Sequence, residues 1–528
     1  MRDFELPGRS TAYGQRGMAA TSHPEATLAA LDVLRRGGNA VDAAIAAVAV
    51  QCVVEPQMTG IGGDCFALYA PASGGVLALN GSGRAPAALS IERLQGLGVA
   101  SLAEGGAHAV TVPGALAGWA ALLDAHGTRG LDELLQPAIA LAEEGFAVTP
   151  RVAWDWQHGR TTLERSQGGR DHYLPGGQPP EAGRVVRLPA LARTLRKIAA
   201  GGVRAFYEGE IARSLVASLR EHGGLHTEAD FAAAAAEWVT PIHTLYRDAT
   251  VYECPPNGQG VVALLIFNIL ERFPLAGMAH DGAARLHLLA EATRLAFRDR
   301  DAALADPAHA TVPTGRLLDK DYAKALAELI DPARAMAGLP PPLLEPHPDT
   351  VYLSVVDRDL NAISLINSVF DGFGSGIVCG DTGVLFHSRG RSFRLDPAHP
   401  NALAPGKRPM HTIIPGLAFK GGELWCSFGV MGGNYQPVGQ AHLLTRLIDD
   451  GLDPQAALDA PRIMAYPGDL EAEAGIGRAA RLGLAERGHR VVDAHGPLGG
   501  GQAIVLDRRR GVLIGGSDPR KDGLALGW

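Results

Sequence analysis

The order of apolar and polar residues divides the chain into a helix-rich first part and a strand-rich last third. Residues 24–37 (PEATLAALDVLRRG) repeat apolar positions at helical spacing, and Gly37–Gly38 supply a stop. Asn39 then caps a second helix reaching about Val53. That helix is alanine-rich and apolar nearly all round, which predicts burial inside a layer. The glycine-rich MTGIGGD (58–64) follows, then two strand-like runs, CFALY and VLALN. Between 110 and 335 the helical segments are GALAGWAALLDAHG, LQPAIALAEEG, PALARTLRKIAAG and ARLHLLAEATRLAFRDRD. Residues 338–349 (GLPPPLLEPHPD) hold five prolines, a composition no helix or central strand tolerates, so an exposed linker is predicted there. Directly after it the period switches to two. Val351, Leu353 and Val355 alternate with Tyr352, Ser354 and Val356, DRDLN turns the chain, and AISLIN completes a hairpin. Further strands are predicted at VLFHS, HTIIPGLAF, LWCSF, QAIVL and GVLIGG, with one helix at Val438–Asp449. The sum is a mixed α/β architecture with helical layers around sheets.

Composition narrows the class. The chain has 528 residues, room for three to four units at roughly 150 residues each or for one large α/β body. Charged residues are 20% and hydrophobic ones 46%, which excludes wholesale disorder. Acidic residues outnumber basic ones 56 to 48, for a net charge of −8, against a nucleic-acid partner. Glycine, 67 residues, is nearly twice the usual ~7% and implies many tight turns. The opening residues show no apolar core before a small-residue cleavage site, and the longest apolar stretches, Ala43–Val50 and Val261–Leu270, fall short of the ~20 residues of a membrane span. Five scattered cysteines (Cys52, Cys65, Cys254, Cys379, Cys426) form no CxxC pair and read as buried thiols. A cytoplasmic protein without a membrane partner is expected.

Three places bear on chemistry. MTGIGGD lacks the GK[ST] ending of a phosphate-binding loop and leads into a strand instead of a helix. His287 and Glu291 lie one helical turn apart, but no second histidine sits at ligand spacing in that helix and HExxH is absent, so a surface or interhelical pair is expected there and no metal site. Asp349–Thr350 places a threonine at the start of a strand, just after the proline-rich segment. A cut before Thr350 would leave a hydroxyl nucleophile and an α-amine in one residue. That amine titrates near ~7.7–8.0 and can accept the hydroxyl proton near neutral pH. Read locally, Thr350 is an ordinary strand residue.

Several segments resemble the γ-glutamyltransferase family of N-terminal-nucleophile (Ntn) hydrolases, in order along nearly the whole chain. They are GMAATSHPEATLAALDVLRRGGNAVDAAIAAVAVQCVVEPQMTGIGGDCF, LHLLAEATRLAFRDRD, DTVYLSVVDRDLNAISLINSVFDGFGSGI, PGKRPMHTIIPGLAF and FGVMGGNYQP. The resemblance implies an αββα four-layer sandwich and self-cleavage between Asp349 and Thr350. The products, residues 1–349 and 350–528, would stay associated as one intertwined domain. It also implies Thr350 as nucleophile, Ser368 as a hydroxyl that steadies the nucleophile's amine, and Gly432 and Gly433 as the oxyanion hole. No metal or organic cofactor is implied.

The chain departs from the glutathione-acting members at the substrate positions. The arginine expected four residues before Pro86 is Ser82, with Arg84 displaced by two; the aspartate expected in a MDDFS-like segment is Ser392, flanked by Arg389 and Arg391. Paired serines become His411 and Thr412, and the histidine two residues after the nucleophile becomes Tyr352. Loss of the aspartate leaves a substrate ammonium without a partner, while added arginines favour a small anion. GSGRAP and RGxSF resemble the branch that includes oxamate amidohydrolases and, more loosely, the cephalosporin acylases. The expectation is therefore hydrolysis of a small anionic amide such as oxamate, with Arg84, Tyr352, Arg391, His411 and Thr412 at the substrate. A true γ-glutamyl hydrolase or transpeptidase, an acylase, and a non-catalytic binding protein are the competing readings.

Overall fold

A computed structural model describes Glu5 and residues 8–338, 350–466 and 468–528. The proline-rich segment and Asp349, and with them the expected cleavage bond, lie outside these residues.

Two seven-stranded antiparallel sheets form the centre. One runs in the order Leu524–Gly527, Met18–Thr21, Val351–Val356, Ala362–Ser368, Asp64–Ala70, Leu77–Gly81, Glu237–Val239. The other runs Ala12–Gly14, Val512–Ser517, Gly500–Asp507, Glu423–Met431, Gly416–Lys420, Ala249–Glu253, Ile242–Tyr246. Each of these two sheets mixes strands from before and after Thr350, so neither side of that residue builds either of them alone.

Side-chain alternation along Val351–Val356 explains the layering. Leu353 and Val355 point outward into a core shared with the helix Ala40–Val54, while Tyr352 and Val356 point inward, against Met431 and Ile504 of the second sheet. A third core covers that sheet's far face with Gly260–Leu270, Ala283–Ala303 and Gln436–Ile448. Helix, sheet, sheet, helix is the αββα order expected. Every residue of Ala40–Val54 is buried, in keeping with its all-round apolar sequence. It starts on a capping box, Asp42 N–H donating to Asn39 Oδ1 at 3.0 Å and Asn39 N–H to Asp42 Oδ2 at 2.9 Å.

Two strand expectations fail. VLFHS (384–388) forms only isolated bridges, at Leu385 and Phe386. Of HTIIPGLAF, only Gly416 onward is a strand. Val384, Leu385 and Phe386 are nonetheless buried in the outer core. Their apolarity reflects a buried connection, which a short apolar run does not distinguish from a strand.

Candidate active site

The hairpin brings the first functional pair together. Val351 stands opposite Asn367, so Thr350 emerges beside Ser368, with Thr350 Oγ1 and Ser368 Oγ 3.1 Å apart. The next strand continues the row, because Ser368 is paired with Asp64. Three chemically active side chains, from positions 64, 350 and 368, therefore share one edge of the sheet, and all three are fully buried.

Asp64 organises what stands behind that edge. Its carboxylate accepts from His411 Nε2 at 3.0 Å and from the Gly83 N–H at 2.9 Å; His387 Nδ1 lies 3.4 Å away and Arg389 Nε 3.7 Å. Burial opposes its charge, but His387, His411 and Arg389 outweigh burial and hold the carboxyl well below the usual range. Burial, with Arg389 beside it, brings His411 down to about 3, and burial also lowers His387. His411 donates from Nε2 to Asp64, and His387 from Nε2 to the Thr111 carbonyl at 2.8 Å. Arg389 is the buried cation that balances Asp64. Burial brings it down only to about 10, partly offset by Asp64 and Asp371.

The opposite wall comes from the second sheet. The strand Glu423–Met431 ends at Gly432 (φ 125°) and Gly433 (φ 56°), left-handed conformations that suit glycine, and the helix Gln436–Ile448 starts three residues later. Its first residue reaches back, Gln436 Nε2 donating to Thr350 Oγ1 at 3.5 Å, while Gln259 Nε2 ties the Gly433 and Thr412 carbonyls at 3.0 and 2.8 Å. The segment carrying the glycine pair is thereby joined to Thr350 and the strand that follows it.

A cleft of about 450 Å³ opens next to Gly432. Arg391 and Asp371 line it as an ion pair at 2.5 Å; Trp154, Tyr435, Tyr466 and Leu498 give it apolar walls, and Glu471 and His495 a polar one.

A scan against family models matches residues 26–528 to Gamma-glutamyltranspeptidase. The chain is 38% identical to the glutathione hydrolase-like YwrD proenzyme of Bacillus subtilis, over 98% of this chain and 99% of that one. The chain belongs to the gamma-glutamyltranspeptidase family. It is also 36% identical to the oxamate amidohydrolase proenzyme of Klebsiella pneumoniae, over 98% of this chain and all of that one. Among solved structures, the cephalosporin acylase of Bacillus halodurans superposes with a TM-score of 0.93 at 41% identity, covering 100% of this chain and 99% of that one. The chain is thus an enzyme of a hydrolase and acyltransferase family with the layered Ntn-hydrolase fold.

Against that family background, the residues expected at the substrate separate into three groups. Arg391 reaches the cleft. His411 and Thr412 stand behind Ser368, one on Asp64 and the other accepting from Arg389 Nη1 at 2.8 Å. Tyr352 and Arg84 go elsewhere. Tyr352 is inter-sheet core: its hydroxyl meets Ser364 Oγ at 3.0 Å, and its ring fills the space a side chain at Gly429 would need. Arg84 is half-exposed, on Glu237 at 2.8 Å and the Gly406 carbonyl at 3.0 Å.

The sequence did not point to Asp64, Asp371, Gln436 or the cleft wall near 495–499. Asp64 had one cue, as the single charged residue of MTGIGGD. His287 and Glu291 acquire a partner that spacing could not show. His489 Nε2 lies 2.7 Å from His287 Nδ1, and among the described residues these three place ligand atoms within 4.8 Å of one another. His287 Nε2 also donates to the Asp331 carbonyl at 2.8 Å, and Arg294 neutralises Glu291 at 2.8 Å, which leaves the cluster closed on itself. No helix among the described residues is long and apolar enough to cross a membrane.

Proposed function

We propose that this chain is a proenzyme that cuts itself before Thr350 and then hydrolyses the amide bond of a small anionic, oxamate-like substrate, releasing ammonia. The Thr350–Ser368 pair, with a buried guanidinium next to it, carries this reading. In maturation, Thr350 Oγ1 attacks the Asp349 carbonyl, the amide becomes an ester, and water opens the ester. The fragments 1–349 and 350–528 stay together because each contributes strands to both seven-stranded sheets. In turnover the freed amine takes the hydroxyl proton as Thr350 Oγ1 adds to the substrate carbonyl. The Gly432 and Gly433 amides meet the oxyanion, the amine returns the proton to departing ammonia, and water hydrolyses the acyl-enzyme. The relatives named as proenzymes, one of them an oxamate amidohydrolase, support this reading.

One observation favours a second reading. The Arg391–Asp371 pair on the cleft offers a carboxylate and a guanidinium together, the complement of an amino-acid end bearing both charges. Asp371 places a carboxylate at the cleft where Ser392 offers none, which suits a γ-glutamyl substrate. Ammonia release from oxamate, measured beside p-nitroaniline release from γ-glutamyl-p-nitroanilide, separates the two. Turnover of oxamate alone supports the first reading, and turnover of the anilide alone replaces it with the second.

A further inference from the structure

We infer that Gln259, oriented by the buried Arg300, is a positioning residue for the oxyanion hole: it pins the Gly433 carbonyl and thereby aims the glycine pair. The inference rests on the reading of Gly432 and Gly433 as that hole. Gln259 directly precedes the helix Gly260–Leu270, and its main chain is tied to the segment behind Ser368, its N–H donating to the His411 carbonyl at 2.9 Å. Its side chain is fully buried. A primary amide offers two N–H hydrogens on one side and a carbonyl oxygen on the other. The Gly433 carbonyl at 3.0 Å and the Thr412 carbonyl at 2.8 Å accept from Nε2. On the other side Arg300 Nη1 stands 3.3 Å from Oε1, and a guanidinium can only donate. One orientation of the Gln259 amide meets both neighbours, because turning it over would set its oxygen against two carbonyls and its hydrogens against a cation. Arg300 therefore commits Nε2 to Gly433.

Arg300 is itself held. Nε donates to Asp301 Oδ1 at 2.8 Å, and the guanidinium lies 4.2 Å from the centre of the Phe297 ring. Nη1 also donates to Asn434 Oδ1 at 3.0 Å, one residue beyond Gly433, so the same guanidinium grips the segment twice. The peptide on the near side of Gly433 is fixed by the turn, where the Tyr435 N–H donates to the Gly432 carbonyl at 2.9 Å. In a trans peptide the C=O and N–H point in opposite directions, so that bond sets the direction of the Gly433 N–H. Both peptides that flank Gly433 are thus held, one by the turn itself and the other by Gln259. With φ at 56° and no side chain, Gly433 has no other means of fixing its place.

Steady-state kinetics on whichever of oxamate or γ-glutamyl-p-nitroanilide the wild type turns over test this, beside thermal melting. Gln259→Glu keeps the shape and an acceptor for Arg300, but its carboxylate has no hydrogen for the Gly433 and Thr412 carbonyls. It is expected to lower kcat about ten- to a hundredfold, short of the 10²–10³ lost with an oxyanion donor itself, and to leave KM within about threefold. Arg300→Met should lower kcat about tenfold in the wild-type background but less than about threefold beside Gln259→Ala, because it acts through that residue. Arg300→Lys, which keeps a charged donor, should lose about two- to fivefold. Wild-type kcat in Gln259→Glu, a change confined to KM, or an equal cost of Arg300→Met with and without Gln259 overturns the inference. If Arg300→Met does not fold, the cycle is run with Arg300→Lys, whose smaller loss must likewise vanish beside Gln259→Ala. Wild-type kcat in Gly432→Ala would instead remove the oxyanion reading beneath it, and a wild type that turns over neither substrate would remove the substrate reading.

Discussion

Gly432→Ala separates an oxyanion hole from a mere turn. At φ 125° the new side chain is strained, and its Cβ lies 2.9 Å from Gly499 Cα and 3.3 Å from Tyr435 Cβ. The closer neighbour is backbone, so the chain itself must shift by a few tenths of an ångström. Left-handed strain at one residue costs about 1–3 kcal/mol of stability. Misplacing one oxyanion donor costs about 2.7–4 kcal/mol in the transition state, or 10²–10³ in kcat. Gly422 is the matched control. It has φ 84°, nothing within 4 Å of its Cβ, and a place in the turn between Gly416–Lys420 and Glu423–Met431. Initial rates on whichever of oxamate or γ-glutamyl-p-nitroanilide the wild type turns over, beside thermal unfolding, give both quantities. Both variants should lose stability, but only Gly432→Ala should lose kcat, with KM changed less than threefold. Wild-type kcat in Gly432→Ala, or an equal loss in Gly422→Ala, would refute the assignment of this amide to the oxyanion.

Three further outcomes follow from the geometry. Tyr352→Phe and Arg84→Ala should each leave kcat/KM within twofold of wild type, since one side chain is core and the other sits on Glu237; a tenfold loss in steady-state kinetics would return either to the substrate site. His411 is neutral when folded, with its pKa brought down to about 3, but takes a proton near ~6.5 when unfolded, so stability falls as pH drops below 6.5 by up to about 1.4 kcal/mol per pH unit. Denaturant unfolding of His411→Gln between pH 6.5 and 4 should show a shallower acid slope, and an unchanged slope contradicts this. Asp518→Ala strands Arg462, its partner at 2.5 Å and the donor to the Leu498 carbonyl on the cleft wall. It should cost about 3–5 kcal/mol in denaturant unfolding, and a loss below 1 kcal/mol would contradict the role given to the pair.

Much of this architecture is legible in one dimension because local signals agree with the tertiary outcome. The helix Ala40–Val54 carries its own cap and an all-apolar surface, so its burial is written in its composition. The hairpin after Thr350 is equally explicit, since period-two alternation flanks a polar turn and both faces find apolar partners. The active-site row is different, because it depends on register. Asp64 meets Ser368 across 304 positions of chain only because Asp64–Ala70 pairs with Ala362–Ser368. Nothing local distinguishes it from a loop aspartate. The arginines also look alike in sequence, whereas depth in the fold sorts Arg84 to the surface, Arg391 to the cleft and Arg389 to the interior. Tyr352 takes the place of the histidine two residues after the family's nucleophile, yet a side chain there lies about 7 Å along the strand from Thr350 and here enters the inter-sheet core.

The central claim is that Thr350 makes itself the N-terminal nucleophile. Intact mass of freshly purified protein, beside a Thr350→Ala variant, tests it most directly. Two species covering residues 1–349 and 350–528 in the wild type, and a single unbroken chain in the variant, are the predicted result. An unbroken wild-type chain, or the same two fragments from the Thr350→Ala protein, would contradict it.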